Sequence, residues 1–482
     1  MAMKKKGTAL VWVRNDFRID ENQALIEASE YEYVLPVFIH DVKKEWPPGE
    51  ASCWWLHHSL VEYQDSLQKQ GSNLFIMEGQ GQHVFSDIFE KIDIQAVFWN
   101  RNYDPSSKNQ VKEAIKEFEK RDIPWTACAG SLLKEPADLL KSDGSPYLVY
   151  TPFWRNFLKK YRSFPKNKKR GLSPSPEGVA QSLRVESLKL LPTIPWDTGF
   201  FIWKPGEKNA KKALKNFIQS GIESYHDKRD FPAVSGTSSL SPYLHFGEIH
   251  PRSILDAVEK EYGPLSRIKN ENIIQFCKEI VWREFAYHLL YFFPLLPDEP
   301  LKKQFKDFPW KKNANWFDLW CSGNTGYPIV DAGMRELWNT GWMHNRVRMI
   351  VASFLIKHLN IPWQEGARWF WNTLVDADLA SNTQGWQWTA GCGPDASPFF
   401  RIFNPITQGE KFDQSGDYIR KWCPELSKIP LKWIHKPWEL TTLELANYGV
   451  TLGCDYPRPI VDHKTARAKA LERYKLLPKS NT

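Results

Sequence analysis

Hydrophobic residues follow two different patterns along the first third of the chain. Short apolar runs predict β-strands at residues 8–16, 34–41, 73–79 and 97–100. Longer stretches, in which apolar residues recur every three or four positions, predict helices around residues 52–70, 82–92 and 108–121. Strands separated by helices of this length indicate a parallel sheet with right-handed crossovers.

From about residue 206 onward the periodicity predicts helices, many of them with aromatic faces. Residues 271–293 predict one long helix, and residues 328–359 predict two. In between, residues 136–205 accumulate Pro, Ser, Gly and Lys, which is typical of a partly exposed interdomain linker. We therefore predict an α/β domain at residues 1–135, a linker at 136–205 and a larger all-α domain at 206–475.

Composition narrows the class of protein. The chain has 482 residues, 42% of them hydrophobic, and no apolar run is long enough to span a bilayer. The charged N-terminus leads directly into the first predicted strand, so we expect a cytoplasmic protein without a signal peptide. Seven scattered cysteines without a CxxC pair argue against a disulfide framework or a zinc site, and we predict no metal. RNDFRIDEN, which follows the first strand, lacks the GxGxxG motif expected of a dehydrogenase.

Charge and aromatic content point to a class of partner. A net charge of +8 permits an anionic partner such as nucleic acid but does not require one. The 23 tryptophans suit stacking on bases or on a large aromatic cofactor, although a bulky helical core accounts for most of them.

The stretch GTSSLSPYLHFGEI, residues 236–249, places hydroxyl groups before a predicted helix. The side chains concerned are Thr237, Ser238, Ser239 and Ser241. Together with the backbone N–H groups of a helix N-terminus they suit a phosphate or pyrophosphate. The alternative is that a serine only caps the helix.

Two carboxylates, Asp376 and Asp378, lie in the otherwise apolar stretch LVDADLASNTQGWQW. Buried acids need partners, and Arg348 is a plausible one for Asp376. Asp378 could accept a hydrogen bond from a ring N–H of a bound heterocycle, and Asn382 could sit beside a redox-active ring atom. A structural salt bridge plus a helix cap is an equally good interpretation of this segment alone.

The stretch GWMHNRVRM, residues 341–349, mixes residue types that neither a core nor a solvent face favours. If it is helical, Trp342, Asn345 and Met349 fall on one face, at i, i+3 and i+7. A break near Asn339–Gly341 would separate this helix from the preceding one. Such a face is expected to pack against something other than the protein core.

Over nearly its whole length the sequence resembles the photolyase/cryptochrome family. The resemblance rests on ordered blocks: WVRNDFRIDENQAL, YTPFWRNF, YHDKRDFPAVSGTSSLSPYLHFGEI, KEIVWREFAYHLL, TGYPIVDAGMRELWNTGWMHNRVRM and DADLASNTQGWQWTAGCGPDASPFFRIFNPITQGEKFD. It implies an α/β antenna-type domain followed by a helical FAD domain. Within the family, the class I and class III photolyases that repair cyclobutane pyrimidine dimers are the most similar.

The resemblance implies light-driven repair of DNA, in which reduced FAD passes one electron to a flipped-out pyrimidine dimer. The implied cofactor-binding residues are Tyr225, Thr237, Ser238, Ser239, Leu240, Ser241, Arg283, Arg348, Asp376, Asp378 and Asn382. The implied catalytic residues around flavin and lesion are Glu279, Trp282, Asn345, Met349, Asn382 and Trp388. The implied electron-transfer chain is Trp386, Trp363 and Trp310, and the implied DNA contacts are Arg229, Arg346 and Arg401.

Three positions bear on the reaction that the resemblance implies. Relatives that repair (6-4) photoproducts typically carry His at the positions of Asn345 and Met349, and DASH-type cryptochromes usually carry Gln at the latter. Plant photoreceptors tend to have Asp in place of Asn382. These residues favour repair of cyclobutane dimers, with a blue-light photoreceptor or a (6-4) photolyase as alternatives. The implied partner is DNA containing pyrimidine dimers, with no obligate protein partner.

Two departures from the family pattern affect the cofactors. Ser239 stands where a larger residue, often Arg, is common, so it supplies no charge to a phosphate. In the loop at residues 100–110, Ser106 and Ser107 replace the Asn–Glu often found in relatives with a folate antenna. The alternatives for a second chromophore are therefore methenyltetrahydrofolate, a deazaflavin or an empty pocket.

Overall fold

The computed structural model describes residues 4–478 except Val42, Lys44, 162–170, 178–181, Ser397 and Phe400. The first part of the chain forms one sheet of strands β1 (Lys5–Val13), β2 (Tyr31–His40), β3 (Phe75–Glu78), β4 (Ile94–Asn100) and β5 (Trp125–Cys128). The strands are parallel and lie in the order β3-β2-β1-β4-β5. The predicted parallel sheet is thus confirmed, although β5, a four-residue strand at one edge, was not predicted.

The central strand is buried on both faces because helices cover both. Alternate residues of β1 enter different apolar clusters: Val11 and Val13 pack on one side of the sheet, Leu10 and Trp12 on the other. Leu10 is paired with Leu35 of β2 and Val97 of β4. Such two-sided burial explains why these strands are continuous apolar runs rather than alternating patterns.

Helices lie both between the strands of the sheet and throughout the later part of the described chain. Those of the first part are α1 (Gln23–Ala28), α2 (Glu50–Gln68), α3 (Gly81–Lys91), α4 (Pro105–Lys120) and α5 (Tyr150–Lys160). The next are α6 (Glu207–Ser220), α7 (Tyr225–Lys228), α8 (Ser241–His245), α9 (Pro251–Tyr262), α10 (Glu271–Phe292), α11 (Ala314–Cys321), α12 (Pro328–Thr340) and α13 (Asn345–Ser353). The last are α14 (Trp363–Thr373), α15 (Leu379–Ala390), α16 (Pro405–Phe412), α17 (Asp417–Trp422), α18 (Leu431–Ile434), α19 (Thr442–Asn447) and α20 (His463–Lys475).

The predicted break between α12 and α13 is confirmed and has a local cause. Gly341 ends α12 with a left-handed φ of +67°, and a Cβ there would lie 2.5 Å from the ring of Phe200. His344 caps α13 by accepting the N–H of Arg346 at 3.2 Å. Trp342 therefore lies in the break, and its predicted place on the helix face with Asn345 is wrong.

The described parts of residues 136–205, the predicted linker, contain a helix and a buried serine. Helix α5 buries Tyr150, Phe153 and Phe157 in the same apolar cluster as α10. Ser173 is fully buried and donates to the carbonyl of Tyr31 at 2.7 Å. The basic run at 164–170 lies outside the described residues, and the domain boundaries themselves stay a prediction.

The described chain has two large apolar cores. One core joins a face of the sheet to α5–α10, and the other holds α11–α15 and the C-terminal helices. All seven cysteines are unpaired thiols. Within the described ranges, no helix is both long and apolar enough to cross a membrane, and no group of three or more His, Cys, Asp or Glu could hold a metal ion.

Candidate cofactor cavity and active site

A cavity of about 1030 Å³, including its open mouth, lies where the two cores meet. From the first core it is lined by Tyr225, the stretch Thr237–Ser241, Leu244, His245, Phe276, Glu279, Ile280 and Arg283. From the second core it is lined by Trp342, Met343, Asn345, Arg348, Asp376, Asp378 and Ser381. The structure therefore brings together nearly all the residues that the resemblance assigns to the cofactor.

A second cavity of about 620 Å³ continues from the first. The two share Asn345, Arg348, Asp376 and Ser381 in their walls. The second adds Met349, Ala352, Phe370, Leu374, Ala377, Asn382, Gly385, Trp386 and Thr389. Asn382 completes the predicted cofactor-binding set. Six helices contribute residues to the combined space: α7, α8, α10, α13, α14 and α15.

The predicted pairing of Arg348 with Asp376 is present. Arg348 Nη2 donates to the two carboxylate oxygens at 3.0 and 2.9 Å, and its Nε donates to the carbonyl of Met343 at 2.7 Å. The Asp376 side chain is only 3% exposed, so its charge depends on this partner. The pair fixes the junction of α13 and α15 at the cavity wall.

Asp378 has one of the roles that the sequence left open, the helix cap, and it also lines the cavity. It caps α15 by accepting the N–H of Ser381 at 2.8 Å, and it lines the cavity. Its carboxylate also accepts the hydroxyl of Tyr287 and lies 3.9 Å from His245 Nδ1. Burial alone would raise the pKa of Asp378, but the nearby His245, the charge of Arg283 and the Tyr287 hydroxyl outweigh it and hold the pKa well below its usual range.

The hydroxyl stretch lines the cavity, but not for the reason expected from the sequence. Helix α8 has only five residues, Ser241–His245, so its dipole contributes little at this end. Its N-cap residue is Leu240, which has no capping group, so capping does not explain the serines. Ser239 has a left-handed φ of +52°, a strained conformation for a residue other than glycine.

These features fit FAD. The cavity offers hydroxyl donors on one side for phosphates and a charged carboxylate, Asp378, on the other for ring N–H groups. Asn382 donates its amide N–H to the carbonyl of Ala367 at 3.0 Å, which leaves the amide oxygen available. Arg283 reaches from the wall to the carbonyl of Ser131 at 2.8 Å and ties the cavity to the first domain.

Glu279 lines the FAD cavity and is partly exposed, so we call its surroundings the cavity mouth. There it belongs to one network of charges with the predicted DNA-binding residues Arg229 and Arg346. Glu279 is paired with the guanidinium of Arg229 and accepts the amide of Gln275 at 2.6 Å. Arg346 Nη2 donates to Asp230 at 2.7 Å. Asp230 and Gln275 were not identified from the sequence, because nothing in a single sequence shows which carboxylate or amide faces these side chains.

Other predicted residues lie apart from the lining. Trp282 stacks on Tyr150, with ring centroids 3.7 Å apart and planes 9° apart, and is half-buried. Neither Trp282 nor the half-buried Trp388 is among the described residues that line the two cavities. The exposed Arg401 accepts the ammonium of Lys357 on its carbonyl at 2.9 Å. The roles assigned to these side chains stay predictions.

The three tryptophans of the implied electron-transfer chain differ in surroundings. Trp386 is buried, lines the second cavity and packs edge-on against Phe370 at 5.0 Å and Trp320 at 6.3 Å. Trp363 is buried at the start of α14 and Trp310 is half-buried. The chain of transfer itself stays a prediction.

A third cavity of about 1340 Å³ lies between the sheet and the helical region. It opens at the carboxyl ends of the strands, as ligand sites of parallel sheets do. Its lining from the first domain includes Trp12, Arg14, Asp41, Trp46, Tyr103, Asp104, Ser107 and Gln110. His245, Tyr287, Trp371 and Asp378 line it from the other side.

Together, the fold and these cavities define a two-domain cofactor-binding protein with a parallel-sheet domain and a helical domain that holds the main site. The chain belongs to the DNA photolyase family. Residues 9–176 match the family model described as DNA photolyase, and residues 276–476 match the model described as the FAD binding domain of DNA photolyase. The predicted family, the fold class and the FAD cofactor are thereby confirmed.

Relatives match over the whole chain. The chain is 46% identical to a deoxyribodipyrimidine photo-lyase of Agrobacterium fabrum, covering 99% of both chains. It is 37% identical to cryptochrome-2 of Arabidopsis thaliana, covering 98% of this chain and 80% of the relative. Among solved structures, a bacterial class III photolyase from Agrobacterium tumefaciens superimposes with a TM-score of 0.93 at 46% identity, covering 99% of this chain and 98% of the other.

Proposed function

We infer that the chain is a deoxyribodipyrimidine photo-lyase that uses light to split cyclobutane pyrimidine dimers in DNA. The observation that carries this conclusion is the combination of Glu279, Asn345 and Met349 in the walls of the two adjoining cavities. A carboxylate, an amide and a thioether can contact a flat, uncharged lesion without a titrating acid or base. Support also comes from the 46% identity to a named photo-lyase over the whole chain.

FAD bound in the cavity would supply the light-excited electron, which the side chains of the protein do not. The hydroxyl stretch Thr237–Ser241 would hold its phosphates, and Asp378, which stays charged, would accept from a ring N–H. Arg348 and Asp376 hold the wall behind the ring rigid through their paired contacts. Asn382 offers an amide oxygen or nitrogen at the adjoining cavity.

Glu279 is prepared to receive the lesion. Arg229 and Gln275 both donate to its carboxylate, which fixes its direction at the cavity mouth. A carboxylate oxygen held in this way can accept from the N–H of a thymine edge. Asn345 and Met349, one turn apart on α13, form the surface between lesion and flavin.

The choice between dimer and (6-4) repair depends on proton transfer. Repair of (6-4) photoproducts involves an acid or base, and neither Asn345 nor Met349 can serve as one. His344 cannot replace them, because it caps α13 and burial lowers its pKa to about 4. We expect Asn345→His to reduce dimer repair without creating (6-4) repair, measured by illuminating two oligonucleotides that each carry one lesion. A gain of (6-4) repair would refute this role of α13.

A photoreceptor remains the second candidate, because cryptochrome-2 of Arabidopsis thaliana is as similar, at 37% identity, as a photo-lyase of Alkalihalophilus pseudofirmus. One experiment separates the two. The absorption spectrum of the purified protein should contain a flavin, and illumination should restore an oligonucleotide with a defined cyclobutane thymine dimer. A bound flavin with no repair after reduction would favour the sensor.

The finer assignments belong to the same proposal. The partner is DNA that contains pyrimidine dimers, gripped through Arg229, Arg346 and Arg401, and the location is cytoplasmic. The interdomain cavity, with Trp12, Trp46 and Trp371 in its walls, suits a second flat chromophore of the folate or deazaflavin class. The spectrum that tests the flavin would reveal that chromophore as well.

A further inference from the structure

Four charged side chains meet at the mouth of the FAD cavity. They are Arg229, Asp230, Glu279 and Arg346, which are between 16% and 34% exposed. Two of these are cations and two are carboxylates, so the mouth carries no net charge from them. DNA binding therefore depends on where the guanidinium groups point and not only on their number.

Asp230 is the residue that holds the second arginine in place. Its Oδ2 accepts Arg346 Nη2 at 2.7 Å, and its Oδ1 lies 3.9 Å from Arg229 Nε. It thus lies between the two cations that the proposed function assigns to DNA. Without it, nothing charged in the described chain is in contact with Arg346.

The rest of the Arg346 side chain is held by uncharged groups. Its guanidinium lies 4.4 Å from the ring centroid of Phe412, and its Nη1 lies 3.9 Å from Met349 Sδ. The Nε is buried and has no hydrogen-bond partner. A flat guanidinium between a ring, a thioether and a carboxylate is fixed in direction, and Met349 beside it is one of the residues proposed to contact the lesion.

A lesion that is flipped into the cavity bends the strand that carries it, so its flanking phosphates take one particular geometry. Two guanidinium groups held at a fixed separation suit that geometry, whereas mobile ones bind any phosphate with similar strength. We propose that Asp230 is a positioning residue that fixes Arg346, and secondarily Arg229, for the phosphates beside a flipped lesion. This role rests on the proposed function, because it concerns discrimination between damaged and undamaged DNA.

The test compares two DNA duplexes with the FAD-loaded protein in the dark, by fluorescence anisotropy. One duplex carries a single cyclobutane thymine dimer and the other is undamaged. We expect Asp230→Ala to weaken binding of the damaged duplex roughly tenfold, because an ordered charged contact is lost. Binding of the undamaged duplex should stay equal or become tighter, because one negative charge has been removed.

Controls tie the effect to Arg346. Asp227→Ala removes an equal charge three positions away, where the exposed carboxylate accepts the amide of Asn272 at 3.4 Å. It should change both affinities by less than about twofold, as expected for an exposed charge. In an Arg346→Ala background, Asp230→Ala should have a much smaller effect on the damaged duplex, limited to its contact with Arg229. Asp230→Glu, which restores the charge, should recover part of the loss.

Several results would overturn the proposal. Tighter binding of both duplexes by Asp230→Ala would mean that Asp230 only competes with phosphate for the arginines. Weaker binding of both, together with loss of FAD absorbance, would mean that it only supports the fold. An undiminished loss in the Arg346→Ala background would place its effect elsewhere. If the unsubstituted protein bound both duplexes equally, the proposed function would fail first and this role with it.

Discussion

The FAD cavity and the interdomain cavity are of similar size but differ in how their walls are built. The first is lined by side chains that are fixed to one another, such as Arg348 to Asp376. Its residues come from a few compact stretches of the helical region. The second is lined from both domains, by segments that are hundreds of residues apart. The comparison teaches that only the first site is encoded in short motifs.

The two cavities nevertheless share a wall. His245 and Asp378 line both of them. A substitution in one cavity can therefore be compared with a substitution in the other. Each should change only the ligand or reaction of its own cavity, unless the shared wall moves. The following variants test that separation.

The largest effect is expected from Arg348→Ala. Breaking a buried ion pair by removing one partner costs about 3–5 kcal/mol, because the other charge is left without compensation. Asp376, only 3% exposed, would be left in that state. We expect purified protein with most of its FAD lost, measured by the ratio of flavin to protein absorbance.

The matched control is Arg335→Ala. Arg335 is also 24% exposed and is paired with Glu425 at 2.7 Å, but it lines neither cavity. It should lower the thermal stability of the protein and leave the flavin content unchanged. Equal loss of FAD in both variants would mean that the cofactor responds to general instability and not to the wall of its cavity.

The next effect concerns repair and not binding of the cofactor. Glu279→Ala should lower the repair yield about tenfold, the size expected when a hydrogen bond to a charged group is lost. FAD should be retained, because the hydrogen bonds of Glu279 at the cavity mouth go to Arg229 and Gln275 and not to the residues proposed to hold FAD. Glu271→Ala, in the exposed first turn of the same helix, is the control for removal of a carboxylate. Unchanged repair in Glu279→Ala would contradict its assignment to the lesion.

Sequence patterns predicted the elements that depend on local periodicity. Four of the five strands, helix α10 and the break at Gly341 follow from apolar spacing and one left-handed glycine. Strand β5 was missed because it is short and half of it is exposed, so no apolar run marks it. Helix α5 was not predicted, because Pro and Gly surround it in the sequence and its buried aromatic residues depend on contact with α10.

The same distinction holds within the site. The pairing of Arg348 with Asp376 was predictable, because an isolated acid in an apolar stretch needs a cation nearby. The contacts of Tyr287 with Asp378 and of Asp230 with Arg346 were not, since each joins residues about 90 to 120 positions apart. Trp342 was placed on the helix because a helical wheel assumes a continuous helix, whereas His344 starts α13 only after it.

A smaller effect on the yield of repair is expected from Trp386→Phe. Trp386 lines the second cavity and lies next to Gly366, where even a Cβ would collide with its ring at 2.1 Å. We expect slower photoreduction of oxidised flavin, followed by absorbance under blue light, with repair by pre-reduced protein nearly intact. Trp438→Phe, which alters a tryptophan that packs on Tyr327 in the same core, should change neither. Loss of both activities in Trp386→Phe would make it a packing residue.

The smallest effect on repair is expected from filling the interdomain cavity. Ser107 lines that cavity on α4, and its backbone N–H and carbonyl keep their contacts with Asp104 and Arg14 whatever its side chain is. Ser107→Phe should therefore exclude a second chromophore without disturbing the fold. We expect loss of any absorbance that does not belong to FAD. The rate of repair driven by direct excitation of the flavin should stay within about twofold of the unsubstituted protein. Ser107 does not line the FAD cavity, and substitutions at separate sites act independently. A large drop in flavin content would mean that the wall formed by His245 and Asp378 transmits changes, and the two sites would then be one coupled unit.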